Sequence, residues 1–314
     1  MSWLIRIIDM MIAFCVPAPA WVARGLRFRL RHFPRTRAAF VKAGVFPVID
    51  HFHDPFYRPD LLEKSRSART LSAIDFNLAG QVALLEAFPD GSEFEHLAAP
   101  GDPRQFHLAN GMFEHGDADL WRQVIGHFKP ARIIEVGSGH STKVARLAIT
   151  DLEQASPGYR CDHVCIDPYA PAWLEDLGAR VLRQPVETVP LEMFRQLERN
   201  DILFIDSSHV IRPQGDVLFE YLDVLPSLAP GVIVHIHDVF SPRDYPNSWM
   251  TDRMYFWNEQ YLVETFMSHN DSWEVLLGGN MMMHERFSLM KSKCAHLDPD
   301  HEPRSFYIRR TTAH

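Results

Sequence analysis

From residue 117 onward, apolar positions follow two alternating spacings. "DADLWRQVIGHF" repeats its apolar residues at helical spacing and ends at Lys129-Pro130. "ARIIEV" is a short continuous apolar run, the pattern of a strand buried on both faces. The same two patterns then recur. Helices are predicted over "STKVARLAITDL", "PAWLEDLG", "PLEMFRQLERN" and "GDVLFEYLDVLPSL", and strands over "HVCIDP", "ARVLRQ", "DILFID" and "GVIVHIHD". "DRMYFWNEQYLVETFMSH" reads as one long helix. "WEVLLGG" and "SFYIRR" supply two more strands without a clear helix between them, which suggests an antiparallel hairpin ending the sheet. Strands alternating with helices in this way imply a parallel α/β sheet with right-handed crossovers. Ligands of such sheets sit outside the carboxyl ends of the strands.

Residues 1–115 lack this alternation. Polar and Pro-rich stretches ("HFHDPFYRPD", "AAPGDPRQF") separate short apolar runs. The expected division is a mainly helical and irregular N-terminal extension or cap over 1–115, and a sheet domain over 116–314. At the start of the chain, Leu4, Ile7, Ile8, Met11 and Phe14 form a broad apolar helical face, and Arg6, Asp9 and Ala13 a narrow one. Six arginines follow between 24 and 37. Arg6, Asp9, Pro17 and Pro19 spoil a membrane span, and the charge order is wrong for a secretory signal. Two readings remain: a helix lying on an anionic membrane surface, or one that packs on the rest of the chain or on a second subunit of a homo-oligomer.

Charge and cysteine content narrow the function. A net charge of −8 argues against a nucleic-acid partner. Cysteines 15, 161, 165 and 294 have neither zinc-finger spacing nor the look of a disulfide framework. A cytoplasmic protein is expected, with contact at the inner membrane face left open.

The chemistry-bearing residues fall just past the strands. In "IIEVGSGHSTK" (133–143) the G-x-G-x-x-G pattern runs Gly137, Gly139, Thr142, so the glycine that serves a dinucleotide pyrophosphate is missing. Glu135 would repel a pyrophosphate but suits a ligand carrying cationic groups, such as S-adenosylmethionine. Asp167 is placed to accept hydrogen bonds from ribose hydroxyls, Pro168 and Tyr169 to lie on adenine, and Glu187 to reach its edge.

In chain order, E-V-G-S-G, I-D-P, F-I-D-x-S-H and H-D each follow an apolar strand. On these motifs residues 117–310, about two-thirds of the chain, resemble a class I S-adenosylmethionine-dependent methyltransferase. The match is to the group with D-x-x-H after strand four (Asp206, His209) and H-D after strand five (His237, Asp238). The resemblance implies a Rossmann-like, doubly wound, seven-stranded, mostly parallel sheet whose last strand is antiparallel. It implies cofactor contacts from Glu135, Gly137, Ser138, Gly139, Ser141, Asp167, Glu187 and Asp206. One departure is the long gap between Glu135 and Asp167, filled by "DLEQASPGYR".

For O-methylation of a small molecule or glycan unit, a near-neutral histidine suits proton removal. His209 or His237 is the candidate base, with Asp206 and Asp238 beside them and Asp216 as a support for His209. Alternatively Asp206, His237 and Asp238 hold a divalent metal such as magnesium. Trp249, Tyr255, Trp257 and Tyr261 are candidates for an aromatic wall, and His51, His53 and Tyr57 for a contribution from the extension. The competing functions are an oxygenase-like enzyme using the His/Asp cluster as an iron site, and a cofactor-binding module without turnover. A nicotinamide dehydrogenase is disfavoured by the lost glycine.

Overall fold

A computed structural model describes residues 3–62, 66–91, 102, 104–297 and 299–311. Part of "AAPGDPRQF" lies outside these residues. Seven strands form one sheet: β1 (Arg132–Val136), β2 (Asp162–Ile166), β3 (Arg180–Leu182), β4 (Ile202–Ile205), β5 (Ile233–Ile236), β6 (Trp273–Gly278) and β7 (Phe306–Arg310). Their order is β3-β2-β1-β4-β5-β7-β6. Strands β1 to β5 are parallel, and β7 runs antiparallel between β5 and β6. This is the Rossmann-like sheet expected, antiparallel last strand included.

Successive strand side chains face opposite sides, which divides the core into two layers. Ile133, Ile202, Phe204 and Ile233 pack with Trp121, Val124, Val144 and Ile149. Ile134, Leu203, Ile205, Val234 and Ile236 pack with Tyr221, Val224 and Val263. Burial on both faces is why these strands are continuous apolar runs rather than alternating ones. Helices α1 (Trp3–Cys15), α2 (Pro17–Leu26), α3 (Pro34–Ala43) and α4 (Leu78–Ala87) precede the sheet. In chain order, α5 before the first strand and the rest between strands, come α5 (Asp117–Phe128), α6 (His140–Ala155), α7 (216–227) and α8 (Glu259–Met267). A π-helical segment, Glu220–Val224, interrupts α7.

Four expectations about elements need correction, the first being "PLEMFRQLERN", which is helical only over Leu191–Phe194. The long helix expected from Asp252 to His269 forms only over α8. His209 C=O accepts from the N–H groups of Asn258 and Glu259, and Asn258 Oδ1 accepts from Ile211 N–H, so tertiary bonds replace the helix there. Two short helices, Gly279–Glu285 and Phe287–Lys293, join β6 to β7 where none was expected, and they bury Met282, Met283 and Met290. "PAWLEDLG" yields only a three-residue helical turn, Glu175–Leu177, before Gly178.

The chain divides into two units. The sheet unit spans Ser65–Pro246 and Trp257–His314, and the smaller unit spans Met1–Lys64 and Asn247–Phe256. Residues 66–115 therefore belong with the sheet, where Leu84, Leu85, Phe88, Phe106 and Phe113 join the core. In the smaller unit Tyr57 Oη lies 2.7 Å from Tyr255 C=O, and Arg27 grips Asp54 through two hydrogen bonds, with Nη2 at 2.6 Å. Helix α1 has no buried residue.

Candidate active site

The chain runs outward from β1 to β2 and β3, then returns to place β4 on the other side of β1. That reversal leaves a crevice at the carboxyl ends of β1 and β4. Asp206 N–H donates to Val136 C=O at 2.9 Å and closes its base. Gly137 makes the turn possible: its φ is +80°, and a Cβ there would lie 2.2 Å from Asp206 C=O. Gly139 has open space around the position of a Cβ and does not need to be small for its own packing.

The crevice encloses about 610 Å³ and is lined by Gly137, Ser138, Asp167, Glu187, Asp206 and Asp216, among others. Asp167 is held in place at β2's end. Ser138 Oγ donates to its Oδ2 at 2.6 Å, and Tyr169 N–H to its Oδ1 at 2.7 Å. Pro168, Tyr169 and the exposed Glu187 share the same wall. Asp216 braces the loop after β4, accepting from Ser208 N–H and Oγ at 2.9 and 2.7 Å; it does not touch His209.

Glu135 and Ser141 are elsewhere. Alternation along β1 puts Glu135 in phase with Ile133, facing α6 rather than the crevice. Its carboxylate is fully buried, accepting from Ser141 Oγ and lying 2.9 Å from His163 Nε2. The acid before the glycines thus ties β1, β2 and α6 together instead of meeting a cationic ligand directly.

Behind Asp206 lies a buried cluster of acids and imidazoles. Asp206 Oδ1 is 3.2 Å from His209 Nε2 and 3.4 Å from His237 Nδ1. His209 Nε2 is also 3.3 Å from Asp238 Oδ2, and its Nδ1 is 2.8 Å from Glu259 Oε2. Tyr221 donates to the other oxygen of Glu259 at 3.0 Å. Arg304 Nη1 lies 3.0 Å from Asp238, while Asp117 accepts from Arg304 N–H, Ser305 N–H and Ser305 Oγ. His209 and Asp238 adopt positive φ values of 60° and 58°, a backbone cost accepted at the mouth of the sheet.

Electrostatics follow from this crowding. Burial alone would strip the proton from His209, but the carboxylates of Asp206 and Glu259 raise its pKa well above the ordinary histidine value. Burial is likewise outweighed at His237, where Asp238 and Asp206 push the pKa up to about 10. Asp206 is held well below the usual carboxylate range, against its own burial, by His237 and His209. Burial and the nearby Glu259 raise Glu220, which accepts from Ser207 Oγ at 2.9 Å. Neither histidine is the near-neutral imidazole expected: the surrounding carboxylates favour the protonated form of both rings.

Three donor atoms, from Asp206, His209 and Asp238, lie within 4.8 Å of one another, close enough to share a metal ion, as do those of Glu135, His163 and Cys165. His237 approaches the same two aspartates at 3.4 and 3.7 Å, with its Nε2 turned toward Asp117. Trp257 lies against the His209 ring, centroids 4.4 Å apart, while Tyr261 donates to Asp244. Trp249 and Tyr255 pair with each other in the smaller unit, where Tyr57 also lies.

Residues 134–239, from β1 to just past β5, match the Methyltransf_24 family model, described as a methyltransferase domain. An uncharacterized protein of Archaeoglobus fulgidus is 29% identical over 175 residues, covering 50% of this chain and 76% of that protein. Among solved structures, an O-methyltransferase from Bacillus cereus in complex with SAH is 13% identical, covering 81% of this chain and 94% of its own, with a TM-score of 0.34. The plantazolicin methyltransferase BpumL, bound to a desmethylPZN analog and SAH, is 11% identical, covering 62% of this chain and 83% of its own, with a TM-score of 0.36. The methyltransferase-domain match spans the Gly137 turn, Asp167, Asp206, His209 and His237 together.

Proposed function

We propose that this domain transfers a methyl group from S-adenosylmethionine to an oxygen of a small molecule or glycan unit. The observation that carries the reading is the position of Asp206. It is one wall of a crevice opened by the Gly137 turn, and it is also the outer member of the imidazole cluster. The cofactor supplies an electrophilic methyl group on a positively charged sulfonium. Asp167, already oriented by Ser138 and the Tyr169 N–H, presents its carboxylate to the ribose hydroxyls. With Glu187 and Asp206 it makes a negative rim that favours a cationic guest and repels a pyrophosphate.

As the acceptor oxygen bonds to the methyl carbon and the carbon–sulfur bond breaks, its proton must leave. The Asp206–His209 pair is the proton acceptor once the imidazole has given up its own proton, with Asp238 and Glu259 fixing the ring. Calorimetry tests the cofactor assignment. S-adenosylmethionine and S-adenosylhomocysteine should both bind, and Asp167→Ala should weaken both by roughly 10- to 100-fold, the worth of a hydrogen bond to a charged acceptor. Absence of binding to either compound removes the assignment; unchanged affinity in the variant shows that the ribose lies elsewhere.

A second reading rests on the donor set. Of four clustered carboxylates, Asp117 and Asp238 pair with Arg304 while Asp206 and Glu259 face imidazoles, so the cluster needs further positive charge. Imidazole protons supply it, and so would a divalent cation. Two hard oxygen donors and one imidazole fit such an ion. Asp206, His209 and Asp238 would hold it, and its chemistry would be to lower the pKa of an acceptor hydroxyl. Treatment with EDTA separates the readings. Turnover that is retained assigns proton removal to the imidazole; turnover lost and restored by magnesium or manganese assigns it to the ion.

A further inference from the structure

Helix α1 is unusual for a folded chain because none of its side chains is buried. Trp3 is 77% exposed, Met11 65% and Phe14 88%, and in α2 Trp21 is 72% exposed. A soluble surface rarely presents so many large apolar residues contiguously. The charge next to them is equally lopsided. Residues 1–49 contain eight basic side chains and one acid, Asp9, in a chain of net charge −8, so the remaining residues carry −15. Arg24, Arg29, Arg31, Arg35 and Arg37 are all exposed. The acidic remainder of the chain makes a basic end that is merely an average surface implausible on composition.

We propose that α1 and α2 seat this protein on an anionic lipid bilayer, lying in the interface rather than crossing it. Charge complementarity selects this occupant: apolar side chains of α1 enter the acyl boundary while the arginines beyond it meet anionic headgroups. Trp3 and Trp21 are amphipathic rings suited to that depth. Geometry separates lying from spanning. Thirteen residues of α1 rise about 20 Å, short of the about 30 Å hydrocarbon layer. Among the described residues no single helix is long and apolar enough to cross, and α1 and α2, which pass that test together, are bent by 42°. Pro17 begins the second helix and Arg24 lies in its last turn, so straightening the pair would carry a charge toward the hydrocarbon.

The test is co-sedimentation of the full-length chain with vesicles of phosphatidylcholine alone and of phosphatidylcholine with one-third phosphatidylglycerol. Binding should be at least about tenfold stronger to the anionic vesicles and should weaken as salt rises from about 0.1 M to about 1 M, where screening is short-ranged. Two surface variants check the two halves. A triple change Ile8→Glu, Met11→Glu, Phe14→Glu should abolish binding, and Arg29→Gln, Arg31→Gln, Arg35→Gln, Arg37→Gln should remove the preference for anionic lipid. Both leave folding intact because every altered side chain is exposed. The proposal is overturned if the protein ignores both vesicles, if it dimerises through α1 and ignores lipid, or if it resists alkaline carbonate extraction as a spanning segment does.

Discussion

His209→Ala is expected to lower turnover by about 10²–10⁴-fold, the usual contribution of a positioned acid–base group, while S-adenosylhomocysteine still binds. The split follows from placement. His209 is buried behind the crevice wall, and its contacts are Asp206, Asp238, Glu259 and Trp257 rather than the crevice residues Gly137, Ser138 and Asp167. Loss should therefore appear in kcat, with binding of the cofactor unmoved. Removing the ring also leaves three carboxylates facing one another, and losing one partner of a buried charge group costs about 3–5 kcal/mol of stability. Turnover must be compared below the variant's unfolding temperature. Glu259→Gln supplies the control: it keeps the ring but weakens the hold on Nδ1, so kcat should fall less and its pH profile should move toward neutrality. An unshifted profile in Glu259→Gln, or full activity in His209→Ala, would show that the proton leaves by another route.

Legibility in the sequence followed strand phase. The sheet was readable because apolar runs and helical spacing alternate from Ile133 to Ile236, and the crevice residues Gly137, Asp167, Glu187 and Asp206 were readable because they follow parallel strands. Glu135 was misplaced because it is inside its strand, not after it; counting in twos from Ile133 puts it on the inner face with Ser141 and His163. Arg304 escaped notice for the opposite reason. Strand β7 is antiparallel, with Phe306 beside Ile236, so the residues before it lie at the same edge as the residues after β5. Asp117 joins that edge by capping the N–H groups of Arg304 and Ser305 from the start of α5. Glu259 was hidden because helical spacing carried the predicted helix through Asn258. Only the His209 carbonyl, a contact fifty residues away in sequence, shows where the helix begins.

Raising the pH from neutrality should increase turnover and weaken the fold over the same interval. On the proposed mechanism His209 must be unprotonated to accept a proton, and both imidazoles are raised, His237 to about 10. The fraction of enzyme ready to react therefore keeps growing above pH 7, rather than levelling off near the ordinary histidine value of about 6.5. Stability moves the other way. A histidine whose folded pKa exceeds its unfolded one binds its proton more tightly when folded. Its contribution is complete below about 6.5 and is lost as pH climbs toward about 10, on the order of 3–5 kcal/mol for His237. Urea unfolding between pH 6.5 and 10, set beside kcat over the same range, measures both limbs. Lysines and tyrosines elsewhere titrate near the upper end, so the informative quantity is the difference from His237→Gln, which should flatten the stability curve. A turnover limb centred near pH 6.5, or identical stability curves for parent and variant, would mean that the carboxylates do not hold these protons. The acid cluster would then have to be neutralised by some other cation.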